Sequence, residues 1–145
     1  MSDLETLLNG ATPANVYRLL SRATPQSIAD TIERLGWRCF YLDGRRARDK
    51  KSFLDAVAAS LRFPAYFGHN WDALDECITD LAWVPAPGYV LLYDHVHWLA
   101  CHHPQDWRTA MEIFRSAVAV WRAEAVPFSV LLRHTRGCAG HVPAL

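Results

Sequence analysis

At 145 residues the chain is close to the commonest size of one compact domain, and a hydrophobic share of 51% excludes a disordered chain. Fifteen basic and fifteen acidic residues cancel, so any charge signal lies in how they are distributed. No apolar run approaches the roughly 18 residues of a membrane helix, and the start of the chain lacks the basic and apolar stretches of a secretory signal, so no membrane association and a cytoplasmic location are expected.

Residues 16–20 are short and rich in strand formers, and read as a strand, with a helix continuing from Asn15 as the competing reading. Residues 25–35 open on Pro25 and carry Ile28, Ile32 and Leu35 at helical spacing, and residues 37–42 are again strand-like. After the turn signal Asp43-Gly44, the positions Phe53, Leu54, Val57 and Leu61 predict a helix that stops before Pro64. Residues 71–81 predict a further helix with Asn70 as its N-cap. Residues 84–88 are a Pro-rich loop, and the uninterrupted apolar run 89–93 suits a buried parallel strand. Trp107, Met111, Phe114, Val118 and Trp121 place an amphipathic helix over 104–124, and residues 128–132 supply a central strand. Strands separated by helices define an α/β fold with a small parallel sheet, expected as one domain over 1–145.

Cys39, Cys77, Cys101 and Cys138 are far apart and form no Cys-x-x-Cys pair, so reduced thiols are expected and Cys77 reads as a small buried hydrophobe. The segment 63–83 holds Asp72, Asp75, Glu76 and Asp80 without a single Lys or Arg. At about 100° per residue, Asp72, Asp75, Glu76 and Thr79 share one arc of the helix while Leu74, Cys77, Ile78 and Leu81 lie opposite. One side packs and the other presents carboxylates. Helix surfaces usually mix signs to gain pairs at four-residue spacing, so a one-signed face is suited to a positively charged partner.

Pro64, Tyr66, Gly68, Asn70, Asp72-Ala73-Leu74 and Cys77 stand in the order and spacing of a motif that resembles the barstar family, bacterial inhibitors of ribonucleases. The likeness extends over about residues 37–134, leaving 1–36 as an N-terminal strand-helix extension that packs on the core. It implies a barstar-like fold, no catalysis, no cofactor, no metal, and a 1:1 complex of an otherwise monomeric protein with a basic ribonuclease or related toxin. The partner-binding residues so implied are Tyr66, His69, Asp72, Asp75, Glu76 and Asp80. This sequence has Glu76 where the family's namesake has Asp, Asp75 where it has Trp and His69 where it has Glu, so a nuclease other than barnase is the expected target.

A barstar-like fold kept for a protein partner that is not a nuclease is one alternative to that reading, and two other patterns compete with it. Asp94 and His95 follow a buried strand, where α/β proteins often place active sites, and His97 and His102 lie close by, which would suit a small enzyme or a metal-binding protein. No nucleophile elbow or phosphate loop accompanies them. Residues 45–51 carry five bases and one acid, but without interleaved aromatic residues, so direct nucleic-acid binding is not expected.

Overall fold

The computed structural model describes residues 3–145. Four parallel strands, β1 (Val16–Arg18), β2 (Arg38–Asp43), β3 (Tyr89–Asp94) and β4 (Phe128–Leu132), form a sheet in the order β1-β4-β3-β2. Six helices surround it: α1 (Asp3–Leu8), α2 (Pro25–Glu33), α3 (Lys50–Leu61), α4 (Trp71–Ile78), α5 (His97–His102) and α6 (Pro104–Ala123). Both β3 and β4 are central, which explains why their sequences are apolar without alternation: each must bury both faces.

Side chains on adjacent strand positions nevertheless go to different cores. Leu91, Tyr93, Phe128 and Val130 join Phe53, Leu54, Leu74 and Phe114 in a large cluster beneath α3, α4 and α6. Val90, Leu92, Leu131 and Tyr17 join Leu7, Ile28 and Ile32 in a smaller cluster beneath α1 and α2. The α/β fold with a four-stranded parallel sheet agrees with the reading of the sequence, and α1 and α2, before residue 37, supply most of the cover of the second face, with Trp37 and Leu145 packed at its margin.

Local signals set most boundaries. Thr24 caps α2, its side chain accepting from the Ser27 amide, with Pro25 in the first turn. Asp49 and Ser52 form a reciprocal capping box at the start of α3, and the helix ends on Arg62 in the left-handed region. The chain continues β1 at its free edge through the C-terminus: Arg18 pairs with Ala144, and the Arg18 amide donates to Pro143 O at 2.8 Å.

Several expectations need correction. The helix expected over 71–81 stops at Ile78, because the Thr79 hydroxyl bonds back to Asp75 O at 2.8 Å and Leu81 takes a left-handed φ of 47°. Asp80 therefore lies in a turn. The strand expected over 16–20 ends at Arg18. The short helices α1 and α5 carry too little periodic sequence to be foreseen; packing of Leu7 and Leu99 holds them.

The thiols also depart from expectation. Cys101, near the end of α5, is joined to Cys138, in the turn after β4, by a disulfide across 37 residues of sequence, while Cys39 and Cys77 stay free. Spacing alone could not show this, since the two meet only when α5 folds back over the end of β4. Among the described residues no helix is long and apolar enough to cross a membrane.

Candidate functional site

The turn between α3 and α4 is built on a ring stack. Phe63 packs on Phe67 at 5.0 Å and on Trp83 at 5.9 Å, and Trp83 donates its indole N–H to Leu61 O at 3.0 Å. With Phe67 turned inward, its neighbour Tyr66 is turned out and stands 74% exposed. Asn70 then starts α4: its Oδ1 accepts from the Ala73 amide at 2.8 Å and its Nδ2 donates to Gly68 O at 3.3 Å. One side chain thus fixes both the loop and the first helical turn.

The inner side of α4 buries Leu74, Cys77 and Ile78, and Trp121 of α6 donates to Ile78 O at 3.0 Å, closing the last turn. Burial pushes the Cys77 thiol up, with the Asp80 and Glu76 charges adding to the shift, so it behaves as packing rather than as a nucleophile. The outer side carries Asp72, Asp75 and Glu76, all exposed, followed by exposed Asp80 in the turn. Among the described residues none of these four carboxylates has a Lys, Arg or His within ion-pair distance. Tyr66, Gly68, Asn70, Trp71, Asp72 and Glu76 line an open groove of about 590 Å³.

Two features of this surface were not legible in the segment itself. Lys50, from the start of α3, also lines the groove and holds its ammonium 5.7 Å from the centre of the Trp71 ring. The only signal for it was the basic run before a predicted helix. His69 is not a free contact: its Nδ1 lies 2.8 Å from Asp55 Oδ1, and the same carboxylate takes Lys51 Nζ at 3.0 Å. Those bonds, Lys51 first and then His69, hold the Asp55 carboxyl below the usual range.

The competing site is committed to structure. Asp94 is 2% exposed and accepts from Arg133 Nε at 2.6 Å and Nη2 at 2.7 Å, and from the Tyr41 hydroxyl at 3.1 Å. Arg133 spends its remaining nitrogen on Ser21 O and Ala23 O. The pair therefore ties the ends of β3 and β4 to the loop between β1 and α2, and Asp94 has no oxygen left facing solvent for chemistry. His97 is buried, with Nδ1 on His134 O at 3.0 Å, and His102 lies beyond Trp98. Among the described residues no three His, Cys, Asp or Glu side chains converge as metal ligands.

The site is thus an exposed acidic helix face on an α/β sheet, without an ion-pair partner among the described residues and with an exposed tyrosine on the preceding loop. The chain belongs to the barstar family: the family described as Barstar (barnase inhibitor) matches residues 37–133. No curated protein matches it. Among solved structures it is similar to the Aeropyrum pernix ORC2 protein in its ADPNP-ADP complexes, at 15% identity and a TM-score of 0.59, with 90% of this chain covering 37% of that one. It is also similar to the Aeropyrum pernix ORC1 protein in complex with DNA, at 14% identity and a TM-score of 0.56, with 94% of this chain covering 38% of that one. The chain thus spans well under half of these structures, and at such identities the likeness is one of fold. The loop after β1 carries no glycine, and it turns Ser21 O and Ala23 O toward the Arg133 guanidinium. A phosphate cradle needs backbone N–H groups pointing into the same space.

Proposed function

We propose that this protein is a non-catalytic inhibitor of antitoxin or immunity type, which blocks the basic active site of a ribonuclease in a 1:1 complex. The observation that carries this reading is the groove in which Asp72 and Glu76 stand exposed and unpaired beside Tyr66. A ribonuclease pocket holds phosphate with Arg, Lys and His, and carboxylates set at matching points take the same charge-assisted hydrogen bonds. Because α4 and its Asn70 cap already fix the backbone that carries them, binding has only their side chains to order and not the chain. Asp75 and Asp80 extend the negative field around this centre, and a field complementary to that of the partner speeds encounter, as it does for barnase and barstar themselves. His69, held by Asp55, acts at the edge as a ring surface or a donor.

Lys50 adds a requirement that a uniformly acidic surface would not. Its ammonium sits at the margin of the groove, so a fitting nuclease carries an acidic or neutral group at that point rather than another cation. The test is titration of barnase and a panel of other basic ribonucleases with the full chain, following RNA cleavage. Inhibition that reaches completion at one equivalent and weakens with salt supports the proposal. Absence of inhibition across the panel, or full inhibition retained by the double variant Asp72→Ala with Glu76→Ala, would refute it.

A further inference from the structure

The basic run that the acidic groove leaves aside acquires from the fold what its sequence lacks. The 3-10 turn Gly44–Arg46 lies beside α5 and α3 at the carboxyl end of the sheet. There the ring of His134 lies on that of His95, with centroids 4.5 Å apart and an interplanar angle of 11°. His95 is 6.3 Å from His97, His97 is 5.2 Å from Trp98, and Trp98 is 5.7 Å from His102 at 21°. Five rings therefore run in file from the end of β4 along α5, although they come from two separate stretches of sequence. Over the middle of the file, the Arg48 guanidinium lies 3.8 Å from the Trp98 ring centroid.

The arrangement is imposed rather than loose. Both His95 and His134 are held at a φ of 55°, a region costly for a residue with a side chain and kept only where the surroundings demand it. Gly44 passes so close to the His95 peptide that an added Cβ would collide with His95 O, which presses the arginine-bearing turn against the rings. Arg45 is paired with Asp43, but among the described residues Arg46 and Arg48 have no carboxylate partner. Both are exposed, as are His102 and His134. Asp49 is occupied as the cap of α3.

We propose that this surface binds single-stranded nucleic acid without sequence preference, Arg46 and Arg48 taking phosphates while the stacked Arg48–Trp98 and His95–His134 pairs offer flat faces to unpaired bases. Cations supply the affinity and stacking platforms select single strands, because every base has a π-face and a duplex hides it. An acidic protein would satisfy the arginines but leave the file of rings unused. The reading does not depend on what the acidic groove binds.

The probe is a fluorescein-labelled RNA of about 12 nucleotides, with binding to the full chain followed by anisotropy from about 50 to 300 mM salt. Expected is saturable binding that weakens by about tenfold or more over that range and by a similar factor in Arg46→Glu with Arg48→Glu. The double variant Asp72→Ala with Glu76→Ala is expected to bind the RNA at least as tightly as the parent, which separates this surface from the groove. Trp98→Phe keeps the fold and should remove part of the tryptophan quenching that accompanies binding. The proposal is overturned by no binding at the lowest salt or by undiminished binding in the glutamate variant. Equal affinity for an RNA duplex of the same length, or displacement by polyglutamate at equal charge, would overturn it as well.

Discussion

Whether an acidic residue serves the fold or a partner is decided by what faces it. Asp94 has a bidentate arginine and a tyrosine hydroxyl, so replacing Arg133 by Met should strand a buried carboxylate and cost about 3–5 kcal/mol in denaturant unfolding. Asp72 and Glu76 have no such partner. Replacing both by Ala should leave unfolding stability within about 1 kcal/mol, the loss of Asp72 from the first helical turn being the larger part, while calorimetric affinity for an inhibited nuclease falls by about a hundredfold or more. Lys50→Ala should raise the association rate with a cationic nuclease at low salt, since it removes the one base lining the groove. In stopped-flow mixing a neutral group facing Lys50 gives that rise and an acid there gives a fall, while an unchanged rate would show that Lys50 takes no part in encounter. Helical spacing was enough to place Asp72, Asp75 and Glu76 on an outer arc. It said nothing of Arg133, 39 positions beyond Asp94 in the chain, nor of Asp55 reaching His69, because periodicity reports which way a side chain points and not what it meets there.

Among the elements, α4 depends on its cap and α3 on its acids. Asn70→Ala removes the acceptor for the Ala73 amide and frees the loop at Gly68, so about 1 kcal/mol of stability should be lost, together with partner affinity, because Tyr66 and Asp72 would no longer be held in one geometry. Around α3, the Arg45 side-chain bond holds Asp43 below the usual carboxylate range, the Ser52 amide does the same for Asp49, and Lys51 for Asp55. A carboxyl lowered on folding contributes stability that is fully present above its unfolded value of about 4 and is lost as pH falls through the folded value. Burial likewise holds His95 below the usual histidine range, and the stability this contributes is lost as pH falls below its unfolded value of about 6.5, so urea midpoints should ease down from there and drop further below about 4; a midpoint that rises on acidification would contradict this assignment. The long helix α6 and the strands β3 and β4 were legible because burial dictates their composition over many residues. The short helices α1 and α5 were not, since six residues sample too few turns and tertiary packing alone stabilises them.

At the scale of the molecule, the parallel sheet followed from strands alternating with helices, but the Cys101–Cys138 link did not, because it closes between a helix end and a loop whose meeting is a product of the finished fold. Reduction should lower stability by roughly 2–4 kcal/mol, and the double variant Cys101→Ser with Cys138→Ser should show a thermal midpoint indifferent to dithiothreitol. Equal midpoints for the parent with and without reductant would show that the link carries no weight. The same closing of distance assembled the file of rings beside Arg48, which no stretch of the sequence contains.

The span that identifies the family begins at residue 37, whereas Tyr17, Ile28 and Ile32 lie before it and roof over Val90, Leu92 and Leu131. A polypeptide trimmed to the recognisable span would carry those three aliphatic side chains bare on neighbouring strands, together with an unpaired β4 edge. Such a fragment should emerge from expression as inclusion bodies, and descent could discard the leader only by first repainting that side of the sheet with polar residues.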